Sequence, residues 1–189
     1  MTRTLGRLIL RLFGWRVVGQ VPSAPKYVLC SAPHTSNWDF LFCVATYWSV
    51  GVELHWVGKD SLFRGPLGWF MRATGGIPVD RSQANGMVRA LADAFGARER
   101  LVVAMSTEGT RAKRDIWKSG FYHVARTANV PVVLGSLDYA KREAVLGPAL
   151  DPSGDVRGFM DQIRAFYADK TGRHPEKFGR IYLKEEGEP

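Results

Sequence analysis

Tyr27-Val28-Leu29-Cys30-Ser31-Ala32-Pro33-His34-Thr35-Ser36-Asn37-Trp38-Asp39 reads as an apolar strand giving way to a helix. The run Tyr27 to Cys30 has strand length, and Pro33 ends it by removing a backbone donor and holding the preceding residue extended. Ser36 or Asn37 is placed to cap a helix that carries the apolar residues Phe40 to Val50. Asp39 then falls in the first turn, where unpaired amides and the helix dipole favour a charged carboxylate. A histidine followed by such a carboxylate is the pairing that general-base chemistry requires. The carboxylate fixes the tautomer of the ring and leaves the other ring nitrogen to accept a proton. The alternative is a loop histidine satisfied by its neighbours.

Spacing alone does not decide between these readings, because His55 and Asp60 repeat it. His55 alternates with Val52, Leu54 and Val57 as strand residues do, with no proline or cap leading into a helix. Local geometry therefore favours His34 over His55.

A length of 189 residues suits one domain with a sizeable core, and a hydrophobic fraction of 46% argues against disorder. The net charge of +8 points to an anionic partner: nucleic acid, phosphorylated metabolite or anionic lipid. Cys30 and Cys43 are the only cysteines, and both fall in apolar segments, so they read as buried thiols of a reducing compartment. An apolar strand also lacks the exposed, electropositive setting that would make Cys30 a nucleophile served by His34.

Residues 3–18 read as a basic amphipathic helix. Leu5, Leu8, Ile9, Leu12, Phe13 and Trp15 follow helical spacing, and Arg3, Arg7 and Arg11 fall largely off that stripe. Such an element either covers the core or lies in the headgroup layer of an anionic membrane. Arginines interrupt the apolar stretch and no cleavage pattern follows, so it does not read as a signal peptide. The run from Phe40 is too short and too polar to span a bilayer, which makes any membrane contact peripheral or monotopic.

After residues 20–25 the chain alternates strand and helix. Strands are expected near 27–31, 52–57, 76–79, 101–105, 131–135 and 143–146, and helices near 37–50, 61–71, 84–97, 119–128 and 156–168. The pattern predicts an N-terminal helical segment, 1–19, and a single α/β domain, 20–189, with a largely parallel or mixed sheet and helices on both faces. Ligands of such sheets bind at the carboxyl ends of the strands. That edge would collect His34, Asp80 and Arg81, the turn Glu108 to Arg111, and Asp138.

Gly75-Gly76-Ile77-Pro78-Val79-Asp80-Arg81 combines a tight turn with a proline that marks an edge strand or bulge, and presents Arg81 at a strand end. An arginine there suits a two-pronged grip on phosphate, unless it only pairs with Asp80 in solvent. Ser106-Thr107-Glu108-Gly109-Thr110-Arg111 gathers a carboxylate, a glycine and an arginine in one turn, followed by Lys113, Arg114 and Lys118. The glycine would let backbone amides approach an anion while Arg111 meets its charge. A solvated loop is the simpler alternative.

Taken in order, His34-Thr-Ser-Asn-Trp-Asp39, Gly76-Ile-Pro-Val-Asp-Arg81, Glu108-Gly-Thr-Arg111 and Val130-Pro-Val-Val133 resemble the four sequence blocks of the glycerolipid acyltransferases, best known as 1-acylglycerol-3-phosphate (lysophosphatidic acid) acyltransferases. The resemblance runs from about Tyr27 to Tyr139, and Trp117 to His123 is similar to a short bacterial branch of that family. It implies a glycerol-3-phosphate acyltransferase-like fold, with His34 as general base and Asp39 as its orienting carboxylate. Arg81 and Arg111 match phosphate-binding positions, and Glu108 with Gly109 matches the acceptor-binding turn, beside Thr110 and Lys118. Two departures stand out: Pro33 where many members have asparagine, and Ser106-Thr107 where they have phenylalanine-proline.

The implied reaction moves a fatty acyl group from acyl-CoA or acyl carrier protein to a lysophospholipid hydroxyl, without metal or other cofactor, at the inner face of the cell membrane. Rival acceptors are a lyso-ornithine lipid, a glycolipid or glycerol 3-phosphate. A basic nucleic-acid-binding module is the non-enzymatic rival, but the chain lacks zinc-ligand spacing, an aromatic RNA-binding block and basic repeats.

Overall fold

The computed structural model describes residues 2–79, 84–108 and 113–187. At its centre stands β2 (Lys26–Ser31), the apolar strand expected from the sequence. With β1 (Arg16–Gly19), β3 (Leu54–Lys59), β4 (Gly76–Val79), β5 (Leu101–Ser106), β6 (Val132–Asp138) and β7 (Glu143–Leu150) it forms one sheet in the order β1-β7-β6-β2-β5-β3-β4. Strands β2 to β6 run parallel, β7 returns antiparallel to β6, and β1 pairs in parallel with β7. The sheet is therefore mixed, and β4, which contains Pro78, lies at its edge as the missing amide donor requires.

β2 is apolar throughout because both of its faces are covered. Val28 and Cys30 pack with Phe95 of α4 (Ala84–Gly96), Phe121 of α5 (Gly120–Ala128) and Ile163 of α6 (Val156–Tyr167). On the other face Tyr27 and Leu29 pack against Tyr47 of α2 (Trp38–Val50). The connection after β2 thus leaves toward one face and that after β5 toward the other, which opens a crevice between their carboxyl ends. A short 3-10 turn, Asp60–Phe63, and α3 (Gly65–Ala73) link β3 to β4.

The N-terminal segment departs from expectation in two ways. Its helix, α1, spans Thr2–Leu12 and does not continue to residue 18. Gly14 turns the chain at φ 70°, and Arg16–Gly19 enters the sheet as β1, where Arg16 meets Glu143 at 2.7 Å. Residues 2–19 therefore comprise a helix and an edge strand of the same sheet.

Of the two alternatives for the leucine stripe, covering the core is not the one its leucines adopt, although Ile9 and Trp15 do pack. Gly6 and Leu10 are buried, whereas Leu5, Leu8 and Leu12 are exposed, Leu12 by 76%. Gly6 decides this: a Cβ there would lie 2.5 Å from the Ala45 carbonyl oxygen and 2.7 Å from the Ser49 amide nitrogen, so α1 lies flush on the backbone of α2. Leu10 and Trp15 complete the contact with Phe42 and Ala45.

This packing predicts opposite outcomes for two substitutions on one helix. Gly6→Val forces α1 off α2 and should destabilise the protein by ~1–3 kcal/mol, as overpacking does. Leu8→Ser, on the open face, should stay within about 0.5 kcal/mol of the parent. Chemical denaturation of the two variants checks both.

Candidate active site

His34 and Asp39 lie at the carboxyl end of β2, at the mouth of the crevice. The peptide between Ala32 and Pro33 is cis, and the chain then turns into α2. Nδ1 of His34 lies 3.4 Å from Oδ2 of Asp39; the imidazole side chain is 23% exposed and the carboxylate 4%. Asp39 sits in the first turn of α2 as expected, but the cap differs. Asn37 makes no side-chain cap bond, and the Ser36 hydroxyl accepts from the Trp38 amide at 3.2 Å.

Asp39 itself reaches back, its Oδ2 accepting the amides of Thr35 and Ser36 at 2.8 Å each. Its other oxygen, Oδ1, accepts the hydroxyl of Tyr139 at 2.6 Å. Burial alone would raise the carboxyl pKa, but the hydrogen bonds from His34, Tyr139 and the Ser36 amide outweigh it and hold Asp39 below the ordinary carboxyl range. The charge that orients His34 is thus retained in a buried place.

Register brings the second carboxylate in. Ser31 of β2 pairs with Ser106 of β5, and just beyond them the backbone amide of His34 donates to Oε2 of Glu108 at 2.7 Å. Glu108 is buried and its Oε1 has no hydrogen-bond partner among the described residues. Burial pushes its pKa up to about 7, against the lowering influence of the His34 amide. Lys118 follows on the same rim, exposed, its amide donating to the Thr107 carbonyl at 2.7 Å. Asp80, Arg81, Gly109, Thr110 and Arg111 fall outside the described residues.

The other residues expected near the edge separate. Asp138 turns inward to accept the amides of Ala140 and Lys141 in the β6–β7 connection. His55 lies within β3 with Nε2 3.7 Å from Glu53, and Asp60 pairs with Arg64 at 2.9 Å. Cys30 is buried, with burial pushing its thiol up to about 12, so it stays protonated and is no nucleophile for His34.

Two contributors were not foreseen. Tyr139 follows β6, a hundred residues after the carboxylate it donates to, and packs against Trp15 and Phe42. Its own pKa is raised, first by burial and then by Asp39, while the Arg173 guanidinium pulls it the other way. The second is the segment after α6. The Thr171 carbonyl accepts the Tyr139 amide at 2.8 Å, and the His174 amide donates to Oγ1 of Thr35 at 3.1 Å. Neither carries a local sequence signal; an apolar-to-polar break after α6 is all the chain shows.

Where β5 ends, a groove of about 540 Å³ is lined by Val57, Met87, Met105, Ile116, Phe121 and Lys118 among others, without His34, Asp39 or Glu108. The apolar side chains of α2, by contrast, go mainly into the core.

The Acyltransferase family model matches residues 15–134, which includes the His34 loop and Glu108 and stops short of Tyr139. The fold resembles the crystal structure of PlsC, the 1-acyl-sn-glycerophosphate (LPA) acyltransferase of Thermotoga maritima. The TM-score is 0.55 at 16% identity, over 89% of this chain and 74% of that one. No curated protein gives a significant sequence match. Matched over most of its length by the family's model, and carrying the His34–Asp39 pair within the match, the chain belongs to the Acyltransferase family.

Proposed function

We propose that the protein transfers a fatty acyl group from an acyl thioester, carried by CoA or acyl carrier protein, to a hydroxyl of a lysophospholipid such as 1-acylglycerol 3-phosphate. The observation that carries this reading is the His34–Asp39 pair, 3.4 Å apart, with the carboxylate held ionised by surrounding donors. With Nδ1–H directed to Asp39, Nε2 is the nitrogen free to take the acceptor's hydroxyl proton. The oxygen attacks the thioester carbonyl, a C–O bond forms, and the tetrahedral oxyanion collapses with cleavage of the C–S bond. The departing thiolate takes the proton from His34.

In this reading Glu108 is a positioning residue. Its carboxyl oxygen is occupied by the His34 amide, so it fixes the loop that carries the base. Acceptor phosphate is assigned to Arg81 and Arg111, with Gly109, Thr110 and Lys118 beside them. The largely apolar groove at the end of β5, within the ~300–1,000 Å³ usual for ligand pockets, is assigned to the acyl chain. A lyso-ornithine lipid, a glycolipid or glycerol 3-phosphate as acceptor would use the same base and the same groove.

Membrane contact at the inner face of the cell membrane is assigned to α1. Its outer face carries Leu5, Leu8 and Leu12, flanked by the exposed Arg7 and Arg11, while Arg3 lies against Gly51 at the end of α2; Phe13 follows, half-exposed. Leu67, Trp69 and Phe70 of α3 add a second exposed apolar group, Trp69 by 76%. No described helix is long and apolar enough to cross a membrane. Apolar insertion and about 1 kcal/mol per cation near an anionic surface would act together.

Three outcomes follow. His34→Ala and Asp39→Asn should each lower acyl transfer ~10²–10⁴-fold in folded protein, His34→Ala with an unchanged melt and Asp39→Asn with a lowered one, and His55→Ala far less; thiol release on a panel of lysolipids reads this. Second, Glu108 binds its proton more tightly folded than unfolded, since its folded value of about 7 lies above the ordinary carboxyl range. Its stabilising contribution is therefore full below that range and is lost as pH rises through about 7. Wild type should lose stability relative to Glu108→Gln between pH 5 and pH 8, and parallel stability curves would refute the burial argument. Third, the protein should sediment with anionic vesicles at low salt, less with neutral ones, and Leu8→Ser/Leu12→Ser should weaken binding without loss of fold.

A further inference from the structure

The segment after α6 is anchored to the site on both sides of one residue, Arg173. Before it, Thr171 holds the Tyr139 amide, and Gly172 packs so closely that an added Cβ would lie 3.0 Å from Cβ of Pro33 and from Oγ1 of Thr35. After it, the His174 amide is held by that same Thr35 hydroxyl. Arg173 therefore has little freedom in where its side chain starts. Its guanidinium carbon stands 5.6 Å from the ring centre of Trp38 and 6.0 Å from that of Tyr139.

Both rings belong to the site: Tyr139 donates to Asp39, and Trp38 immediately precedes Asp39. The guanidinium also hydrogen-bonds the Tyr139 hydroxyl, which engages part of its five-donor fork and leaves the other N–H groups to meet a ligand. Among the described residues no carboxylate pairs with Arg173, and its side chain is exposed. A cation held against Trp38 and Tyr139, without a carboxylate partner among the described residues, fits an oxyanion arriving with the substrate.

We propose that Arg173 binds a phosphate group of a substrate at the mouth of the active site, as a specificity-determining residue contributed by the segment after α6. It lies beyond the family match, which ends at residue 134, and is distinct from the two arginines that follow β4 and β5. The proposal rests on the acyl-transfer reading. Phosphate reaches such a site either on the acceptor's headgroup or on the CoA part of the donor, and the two sources separate experimentally.

The experiment measures KM and kcat for Arg173→Ala and Arg173→Lys with 1-acylglycerol 3-phosphate against monoacylglycerol, and with acyl-CoA against acyl-N-acetylcysteamine, which has no phosphate. Arg173→Ala should raise KM about ten- to hundred-fold for one phosphate-bearing substrate, the size expected for a lost charge-assisted hydrogen bond, and clearly less for its phosphate-free counterpart. Arg173→Lys, which keeps the charge but loses the planar fork, should fall between. A rise confined to the phosphorylated lysolipid identifies the acceptor, and one confined to acyl-CoA the donor. Equal loss on phosphate-bearing and phosphate-free substrates, or no loss, overturns the proposal.

Calorimetric titration with glycerol 3-phosphate and with coenzyme A reads the contact without turnover, so it separates failure of this proposal from failure of the acyl-transfer reading. Wild type should bind one of them more tightly than Arg173→Ala does. Equal binding by both proteins, or binding of neither ligand, overturns the assignment even if the enzyme transfers acyl groups.

Discussion

A buried carboxylate has to be surrounded by donors or give up its charge, and the site is built around meeting that condition at Asp39. Two amides of its own loop, Thr35 and Ser36, serve one oxygen, and the Tyr139 hydroxyl serves the other. His34 supplies the remaining donor from the solvent side at 3.4 Å. Each of these partners is fixed in turn: the loop by Glu108 and by Thr35's bond to His174, and Tyr139 by its packing on Trp15 and its amide bond to Thr171. Much of the arrangement around the edge of the sheet reads as support for one negative charge.

The sheet makes that support possible. Because β2 is central and β5 and β6 flank it in parallel, the loops that follow these strands meet at one edge. The antiparallel return of β7 creates the tight connection that places Tyr139 over α2, and α6 sends the chain back across the same edge. Tyr167 at the end of α6 fastens that return, its hydroxyl donating toward the carbonyls of Cys30 and Gly135 at 2.8 and 3.1 Å. The C-terminal part of the chain is thereby tied to the central strand immediately before it crosses the site.

Much of this was legible in the residues. Strand–helix alternation gave the architecture, because continuous apolar runs mark strands covered on both faces, and the local grammar of a strand ended by proline separated His34 from His55. Three features were not legible. The N-terminal stripe of leucines suggested a packing face, but a helix packs where its surface is lowest, and Gly6 offers a backbone approach that no leucine can. Gly14 and the β-branched pair Val17-Val18 mark where the helix ends and a strand follows. Tyr139 and Arg173 were invisible for another reason: their importance lies in contacts across a hundred residues or more, and no local pattern encodes such a partner.

The clasp of residues 171–174 over the His34 loop also bears on how the protein comes into being. The dyad lies within the first 39 residues, yet its loop is not closed until a segment more than 130 positions later has been laid against it. Closing a loop over such a separation costs chain entropy and slows folding. During synthesis the histidine and its carboxylate leave the ribosome early but remain without Tyr139, Thr171 and His174 until the chain beyond α6 has been made. A nascent or C-terminally clipped chain would present this reactive pair unassembled, so that catalytic competence serves as a readout of complete folding.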